Sequence, residues 1–112
     1  MTKDKWHKMS LAQQMGNIGS EVYRLINSKE KGDSKSVQSS FIRVLELIDL
    51  TIEDKKWEGR LFEILRLREI ICNFYLDKKV YNVSVENLKK YFIPFALISN
   101  QLCQKLPQKE LK

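Results

Sequence analysis

Acidic residues that could take part in acid–base chemistry are concentrated between residues 46 and 53. Glu46, Asp49 and Glu53 follow one another at spacings of three and four, so a helix would bring their carboxylates towards one face. General acid–base catalysis needs titratable groups held close together in a pocket. The alternative is a solvated face that forms ion pairs with Arg43 and with the basic segment after residue 54, and this is the interpretation we favour.

Nucleophiles and metal ligands are scarce. A zinc site takes three or four ligands, whereas the chain has one histidine, His7, two cysteines, Cys72 and Cys103, and no Cys-x-x-Cys motif. An apolar setting disfavours the reactive thiolate. Both cysteines are therefore expected to be reduced core residues, and no enzyme activity, metal or cofactor is expected.

Basic residues are in surplus. The chain has 20 Lys and Arg against 14 Asp and Glu, with a formal net charge of +6. Such a surplus favours acidic partners such as nucleic acid. The lysines could be solubilising charge only, or they could form a surface that contacts phosphates without reading bases. The candidate nucleic-acid-binding residues are Lys29, Lys31, Lys35, Lys55, Lys56, Arg60, Arg66, Arg68, Lys78, Lys79, Lys89 and Lys90.

The elements that must position these residues are predicted to be helices, because apolar residues recur every three or four positions. Ser10 and Gln13 form a capping-box pattern at the start of the first helix. Gly16 and Gly19 inside it indicate close approach of a neighbouring helix. The polar stretch from Asn27 to Ser36 is predicted to be a loop. In an up-down bundle, its lysines would meet Lys78 and Lys79 of a second loop, residues 77–82, at one pole.

Two more helices are predicted between residues 36 and 76. The second runs from Ser36 to Glu53, and Asp54 is the N-cap of the third, which runs from Lys55 to about Leu76. Ile42, Leu47 and Leu50 widen the apolar stripe of the second helix, so this helix is either central or buried both in its own core and in a subunit interface; the second alternative suggests a homo-oligomer. The residues of the third helix predicted to face inward are Trp57, Leu61, Ile64, Leu65, Ile71 and Phe74.

The fourth predicted helix follows a cap at Ser84 and contains Pro94. Proline inside a helix predicts a kink there, or a short helix followed by another. We expect a charged lead-in over residues 1–9, one domain over residues 10–103 and a flexible tail over residues 104–112. The predicted fold is all-α, an up-down-up-down four-helix bundle.

Two segments of this pattern resemble a known family. FIRVLELIDLTIED, from Phe41 to Asp54, and RLFEILRLREIICNF, from Arg60 to Phe74, are similar to the Avd-like and 23S rRNA-intervening-sequence four-helix bundle proteins. The resemblance implies a small, basic, non-enzymatic bundle that assembles as a ring of five. It also implies binding to a reverse transcriptase and to nucleic acid, as for the accessory variability determinant of diversity-generating retroelements.

The expected function is therefore that of a nucleic-acid-binding accessory protein, acting on an RNA or DNA backbone or with a larger enzyme such as a reverse transcriptase. The alternative is a protein-interaction or structural adaptor of a mobile element with no nucleic-acid role. The sequence contains neither an apolar run of membrane-spanning length nor a secretory signal pattern, so the expected location is cytoplasmic, with no membrane partner.

Overall fold

The computed structural model describes residues 2–76 and 85–104, with side chains in the last helix described as far as Phe95. These residues form α1 (Lys3–His7), α2 (Leu11–Lys31), α3 (Ser34–Ile52), a 3-10 helix (Lys55–Arg60), α4 (Leu61–Tyr75) and α5 (Val85–Gln104). Neither described range contains a β-strand, which confirms the predicted all-α class. None of the described helices is long and apolar enough to cross a membrane.

α2 is the central helix and packs against both α3 and α5, while α4 and the short α1 pack against α3. The apolar stripes predicted from spacing meet in one core. The buried apolar side chains are Trp6, Met15, Ile18, Val22, Leu25, Ile26, Val44, Leu47, Ile48, Trp57, Ile64, Leu67, Ile71, Leu88 and Phe92.

The capping box at the start of α2 is confirmed. The Ser10 hydroxyl accepts from the Gln13 amide at 3.1 Å, and the Gln13 side-chain oxygen accepts from the Ser10 amide at 2.9 Å. Close helix approach is confirmed at Gly19, where an added Cβ would lie 2.9 Å from Cβ and ring atoms of Phe92 on α5.

The predicted loop from Asn27 to Ser36 is wrong. α2 continues to Lys31, and Gly32, with φ of 72°, ends it in the left-handed conformation. Asp33 then caps α3 by accepting from the Ser36 amide at 3.2 Å. The stretch is polar because this part of α2 is exposed on one side, and Lys and Glu are good helix formers. The connection is only two residues long.

The segment before Ser10, predicted as a charged lead-in, contains α1. Its Trp6 side chain has no exposed surface, and its indole N–H donates to the Thr51 hydroxyl at 2.9 Å. Burial of the large Trp6 side chain stabilises the fold by more than it costs to order the exposed lysines around it. α1 therefore covers part of α3, the helix whose wide apolar face suggested a subunit interface. Ile42 on that face is 48% exposed.

The predicted third helix is a 3-10 helix followed by α4. Trp57, Ile64 and Ile71 are buried as predicted, but Leu61 and Leu65 are 37% and 41% exposed. A 3-10 helix turns by about 120° per residue and an α-helix by about 100°. The three residues of 3-10 geometry after Trp57 therefore move Leu61 off the inward face.

α5 is assigned as one helix through Pro94, rather than as a short helix followed by another. The predicted loop over residues 77–82, the cap at Ser84 and residues 105–112 of the predicted tail lie outside the described residues. So does the side chain of Cys103. Cys72 is a free, half-buried thiol on α4.

Candidate nucleic-acid interface

Several of the predicted cationic residues hold the fold together. The Lys29 ammonium donates to the carbonyl oxygens of Phe74 and Tyr75 at the end of α4 and lies 4.5 Å from the Phe74 ring centre. Unpaired carbonyls carry partial negative charge at the end of a helix, so a cation there is stabilising. Lys29 is thus engaged in fastening α4 to α2.

Lys56 is also engaged within the fold. Its ammonium donates to the Asp54 carboxylate at 2.7 Å and to the His7 carbonyl at 2.6 Å, which ties the 3-10 helix to α1. Asp54 is 6% exposed. Burial alone raises the pKa of its carboxyl, but hydrogen bonds from Lys56 and Gln14 outweigh burial and hold that pKa at about 2.

Arg60 and Arg68 form ion pairs. Arg60 donates to Glu63 at 3.0 Å and lies over the Trp57 ring, and Arg68 donates to Asp49 at 3.2 Å. Two further pairs complete the acidic face of α3, from Arg43 to Glu46 at 3.4 Å and from Lys3 to Glu53 at 3.0 Å. The predicted pairing of this solvated face with Arg43 and with the segment after residue 54 is confirmed for Glu46 and Asp49, whereas Glu53 pairs with Lys3 of α1. Among the described residues, no group of three His, Cys, Asp or Glu side chains could hold a metal ion.

The remaining candidates are spread over the surface. Lys31, Lys35, Lys55 and Lys90 are exposed and form no ion pair with another described residue. Lys89 lies 5.8 Å from the centre of the Tyr23 ring on α2. Arg66 lines a groove between α4 and α5. Lys29, Lys31 and Lys35 lie around the α2–α3 connection as the predicted pole requires, but on helices, and Lys78 and Lys79 lie outside the described residues.

A polar concave surface lies between α2 and α3 and is here called the α2–α3 cleft. It has a volume of about 370 Å³. Its lining residues are Glu21, Arg24 and Ser28 from α2, and Lys35, Ser36, Ser39, Ser40 and Arg43 from α3. Three cationic groups and one carboxylate give this cleft a formal charge of +2, together with four hydroxyl groups.

Most donors of the α2–α3 cleft remain available. Ser28, Ser39 and Ser40 make no side-chain hydrogen bond with another described residue, although Ser28 and Ser40 are only 8% and 3% exposed. The Ser36 hydroxyl is in use, because it donates to Asp33 at 2.8 Å. That bond lowers the pKa of the Asp33 carboxyl.

The two arginines of the cleft keep free donors. Arg24 pairs with Glu21 at 3.1 Å and Arg43 with Glu46, each through a single nitrogen. A guanidinium group has five N–H donors, so both arginines can still bind an anion.

Sequence reasoning found only Lys35 of this cleft. The predicted loop over residues 27–36 separated the other lining residues from one another, so the candidate set did not include Arg24, Ser28, Ser39, Ser40 and Arg43. The spacing contains the signal. Arg24 and Ser28 are four residues apart on one helix. On the next helix Ser36 and Ser40 are four apart, and Arg43 follows Ser40 by three.

A second concave surface, of about 260 Å³, lies between α4 and α5 and is mainly apolar. Leu67, Ile70 and Leu88 line its floor. Tyr91 donates a hydrogen bond to Glu63 at its edge, and burial together with that carboxylate raises the pKa of Tyr91. The two charged residues of its lining, Glu63 and Arg66, are of opposite sign, so this groove has no formal positive charge.

No protein-family model, curated protein or solved structure matches this chain. The resemblance to the Avd-like bundles therefore stays a prediction.

Proposed function

We propose that this protein is a non-enzymatic accessory protein that binds the phosphate backbone of RNA or DNA through the α2–α3 cleft. The observation that carries the proposal is the convergence of Arg24, Lys35 and Arg43 on one hollow that also holds unused serine hydroxyls. Arginine, lysine and hydroxyl donors are the groups that contact phosphate oxygens in protein–nucleic acid complexes.

The distribution of the other charges supports this location. Lys29, Lys56, Arg60 and Arg68 are held by partners within the fold. A polyanion that approaches those residues must displace an existing contact. At the α2–α3 cleft it meets Lys35, which forms no ion pair with another described residue, and Arg24 and Arg43, which pair with Glu21 and Glu46 through one nitrogen each.

The proposal includes a fold and an assembly. The long helices α2, α3, α4 and α5 would form an up-down-up-down four-helix bundle, with α5 kinked near Pro94. The two-residue connection between α2 and α3 supports antiparallel packing of that pair. Following the family resemblance, the protein would be a cytoplasmic homo-oligomer, a ring of five, that docks on a reverse transcriptase or another nucleic-acid enzyme.

Titration of a fluorescent single-stranded oligonucleotide at several salt concentrations tests the proposal. We expect log K to fall linearly with log salt, because phosphate binding releases counterions. The double variant Lys35→Gln/Arg43→Gln should lose at least about tenfold in affinity. Its matched control, Lys55→Gln/Lys90→Gln, removes the same charge from exposed sites elsewhere and should lose less. Absence of binding at low salt, or equal losses in both variants, would refute the proposal.

A second candidate function, a protein-interaction module without a nucleic-acid role, is favoured by the exposed apolar surface of α4. Phe62 is 91% exposed and lies beside the part-exposed Leu61 and Leu65. Exposed apolar patches of this kind mark interaction surfaces. A partner that is captured by the wild-type protein after nuclease treatment, but not by Phe62→Asp, would favour this function.

A further inference from the structure

Phe62 is the most exposed large apolar side chain among the described residues. It is 91% exposed on α4, beside Leu61 and Leu65, which are 37% and 41% exposed. Exposed apolar surface of this kind favours an interaction. Burial of one phenylalanine side chain strengthens an association by roughly ten- to a hundredfold. Phe62 is therefore the side chain of this surface that gains most from a partner.

The concave surface between α4 and α5, here called the α4–α5 groove, suits an aromatic ring. Its floor is apolar and consists of Leu67, Ile70 and Leu88, and its volume is about 260 Å³. A cavity of about 150 Å³ holds a benzene molecule. The groove thus has room for one phenylalanine ring, which would meet apolar side chains that already pack against the core.

Phe62 does not fill the groove of its own chain. Leu67 and Ile70 follow it by five and eight residues, so they lie about 8 to 12 Å further along the axis of α4. Side chains on a helix lean towards its N-terminus, which directs Phe62 away from them. The exposure of Phe62 agrees with this geometry. The exposed ring and the apolar hollow of one molecule are thus available only to another molecule.

We propose that Phe62 of one copy of this protein inserts into the α4–α5 groove of a second copy. This inference rests on the homo-oligomer that the proposed function includes, and it names the two surfaces that meet. Because these surfaces differ from each other, the contact can repeat from copy to copy, as a ring requires.

The distribution of charge favours a second copy as the occupant. Two chains of net charge +6 repel each other, so they approach most easily where the facing surfaces are close to neutral. The segment around Phe62 has three carboxylates and three guanidinium groups, namely Glu58, Glu63, Glu69, Arg60, Arg66 and Arg68. From α5 the groove is lined only by the uncharged Asn87, Leu88 and Tyr91. A nucleic acid is attracted instead to the cationic α2–α3 cleft, so the two contacts can coexist.

Complementary variants test the inference by light scattering. Phe62→Asp removes the inserted ring and keeps the groove, whereas Ile70→Glu places a charge in the groove and keeps Phe62. Each variant alone should dissociate at least about tenfold more readily than wild type. An equimolar mixture should give a species of twice the 13.3 kDa of one chain, because one intact contact can form. Both new charges are negative, so an ion pair between them cannot cause the association.

Ile42→Glu is the matched control, since Ile42 is 48% exposed on α3 and lies outside the groove lining. It should keep the wild-type mass. Circular dichroism and urea unfolding check that each variant is folded.

A photocrosslink gives a second measurement that does not depend on the stability of Ile70→Glu. Phe62 is replaced by benzoylphenylalanine, and isotopically labelled and unlabelled chains are mixed and irradiated. Mass spectrometry should find crosslinks between labelled and unlabelled chains, joining position 62 to residues 63–70 or 87–91. Crosslinks to another part of the second copy, or within one chain only, would overturn the inference.

The remaining outcomes separate this inference from the proposed function. A wild-type mass of one chain would overturn both the inference and the proposed homo-oligomer. An assembly that persists in both variants, or a mixture that stays dissociated, would overturn the inference and leave a homo-oligomer with another interface. A different protein captured by a single-chain wild type through Phe62 would make that protein the occupant. Nucleic-acid binding is tested by its own salt titration, and none of these results decides it.

Discussion

Gln14 joins four parts of the chain through one side-chain amide. Its oxygen accepts from the Trp57 indole at 2.8 Å, and its nitrogen donates to the Trp6 carbonyl and to the Asp54 carboxylate, each at 2.8 Å. The side chain has no exposed surface. Both N–H groups and the oxygen of the amide thus have partners within the protein, which is the condition under which a buried polar group stabilises a fold.

Replacement of Gln14 by methionine, which has a similar volume, should destabilise the protein by roughly 2 to 4 kcal/mol. The change leaves the Trp57 N–H buried without a partner and removes a donor from the Asp54 carboxylate, while the Trp6 carbonyl keeps the Met9 amide as a donor at 3.1 Å. The measurement is urea unfolding followed by circular dichroism. Gln38→Met, on the exposed face of α3, is the matched control and should stay within about 0.5 kcal/mol of wild type. Equal effects of the two changes would show that the Gln14 amide adds nothing.

Asp54 predicts a pH dependence of stability. Its pKa is about 2 in the folded protein against 3.8 as the ordinary value, so its contribution is fully present above about pH 4 and is lost as the pH falls towards 2. The shift corresponds to a loss on the order of 2 kcal/mol. Asp54→Asn keeps a good N-cap residue but cannot be protonated. Unfolding free energies measured between pH 2 and 6 should therefore fall more steeply for wild type than for this variant, and parallel curves would contradict the assignment.

The two residues differ in how far sequence could predict them. Asp54 was predicted as an N-cap because an acidic residue before an apolar-periodic segment has a local partner two residues on. Gln14 has partners 8, 40 and 43 positions away. Such contacts are set by tertiary packing, and the only local signal is that a glutamine occupies an inward position next to Met15. The serines of the α2–α3 cleft escaped prediction for the same reason.

At the scale of elements, spacing predicted which segments are helical but not where one helical geometry changes into another. The segment from Lys55 to Arg60 is a 3-10 helix, and Gly59 within it lowers the preference for α-helix. The resulting rotation brings Leu67 inside and puts Leu61 and Leu65 outside. Such a rotation between two helical segments cannot be read from the spacing of apolar residues, because the spacing is typical of a helix with or without it.

Two glycines give opposite predictions for the same substitution. Gly19→Ala should destabilise the protein by about 1 to 3 kcal/mol, because the new Cβ meets Phe92 at 2.9 Å and forces α2 and α5 apart. Gly59→Ala meets nothing within 4 Å and should be neutral or stabilising by up to about 1 kcal/mol, because alanine restricts the unfolded chain. Thermal unfolding of both variants measures the difference. A stable Gly19→Ala protein would mean that α5 packs less closely on α2 than described.

For the whole molecule, the charge surplus of +6 is less informative than its arrangement. Composition predicted an acidic partner, and the fold determines which cations remain to meet it. Ion pairs engage Arg60 and Arg68 on the 3-10 helix and α4, whereas Arg24 and Arg43, which are ion-paired too and which composition could not single out, line a concave surface with Lys35. Net charge is a sum over the sequence, whereas the convergence of cationic side chains on one surface depends on which helix faces meet.

The exposed apolar side chains of α4 predict how copies of the molecule assemble. Sequence placed a subunit interface on α3, whereas the structure covers part of α3 with α1 and exposes Leu61, Phe62 and Leu65 on α4. Phe62 is 91% exposed, so its burial between subunits would stabilise self-association. Ile42 on α3 is 48% exposed and would contribute less. Light scattering should give wild type a mass several times the 13.3 kDa of one chain, reduced by Phe62→Asp and unchanged by Ile42→Asp. Loss of the assembly in Ile42→Asp alone would return the interface to α3. A wild-type mass of one chain would remove the homo-oligomer and, with it, the ring that the family resemblance implies.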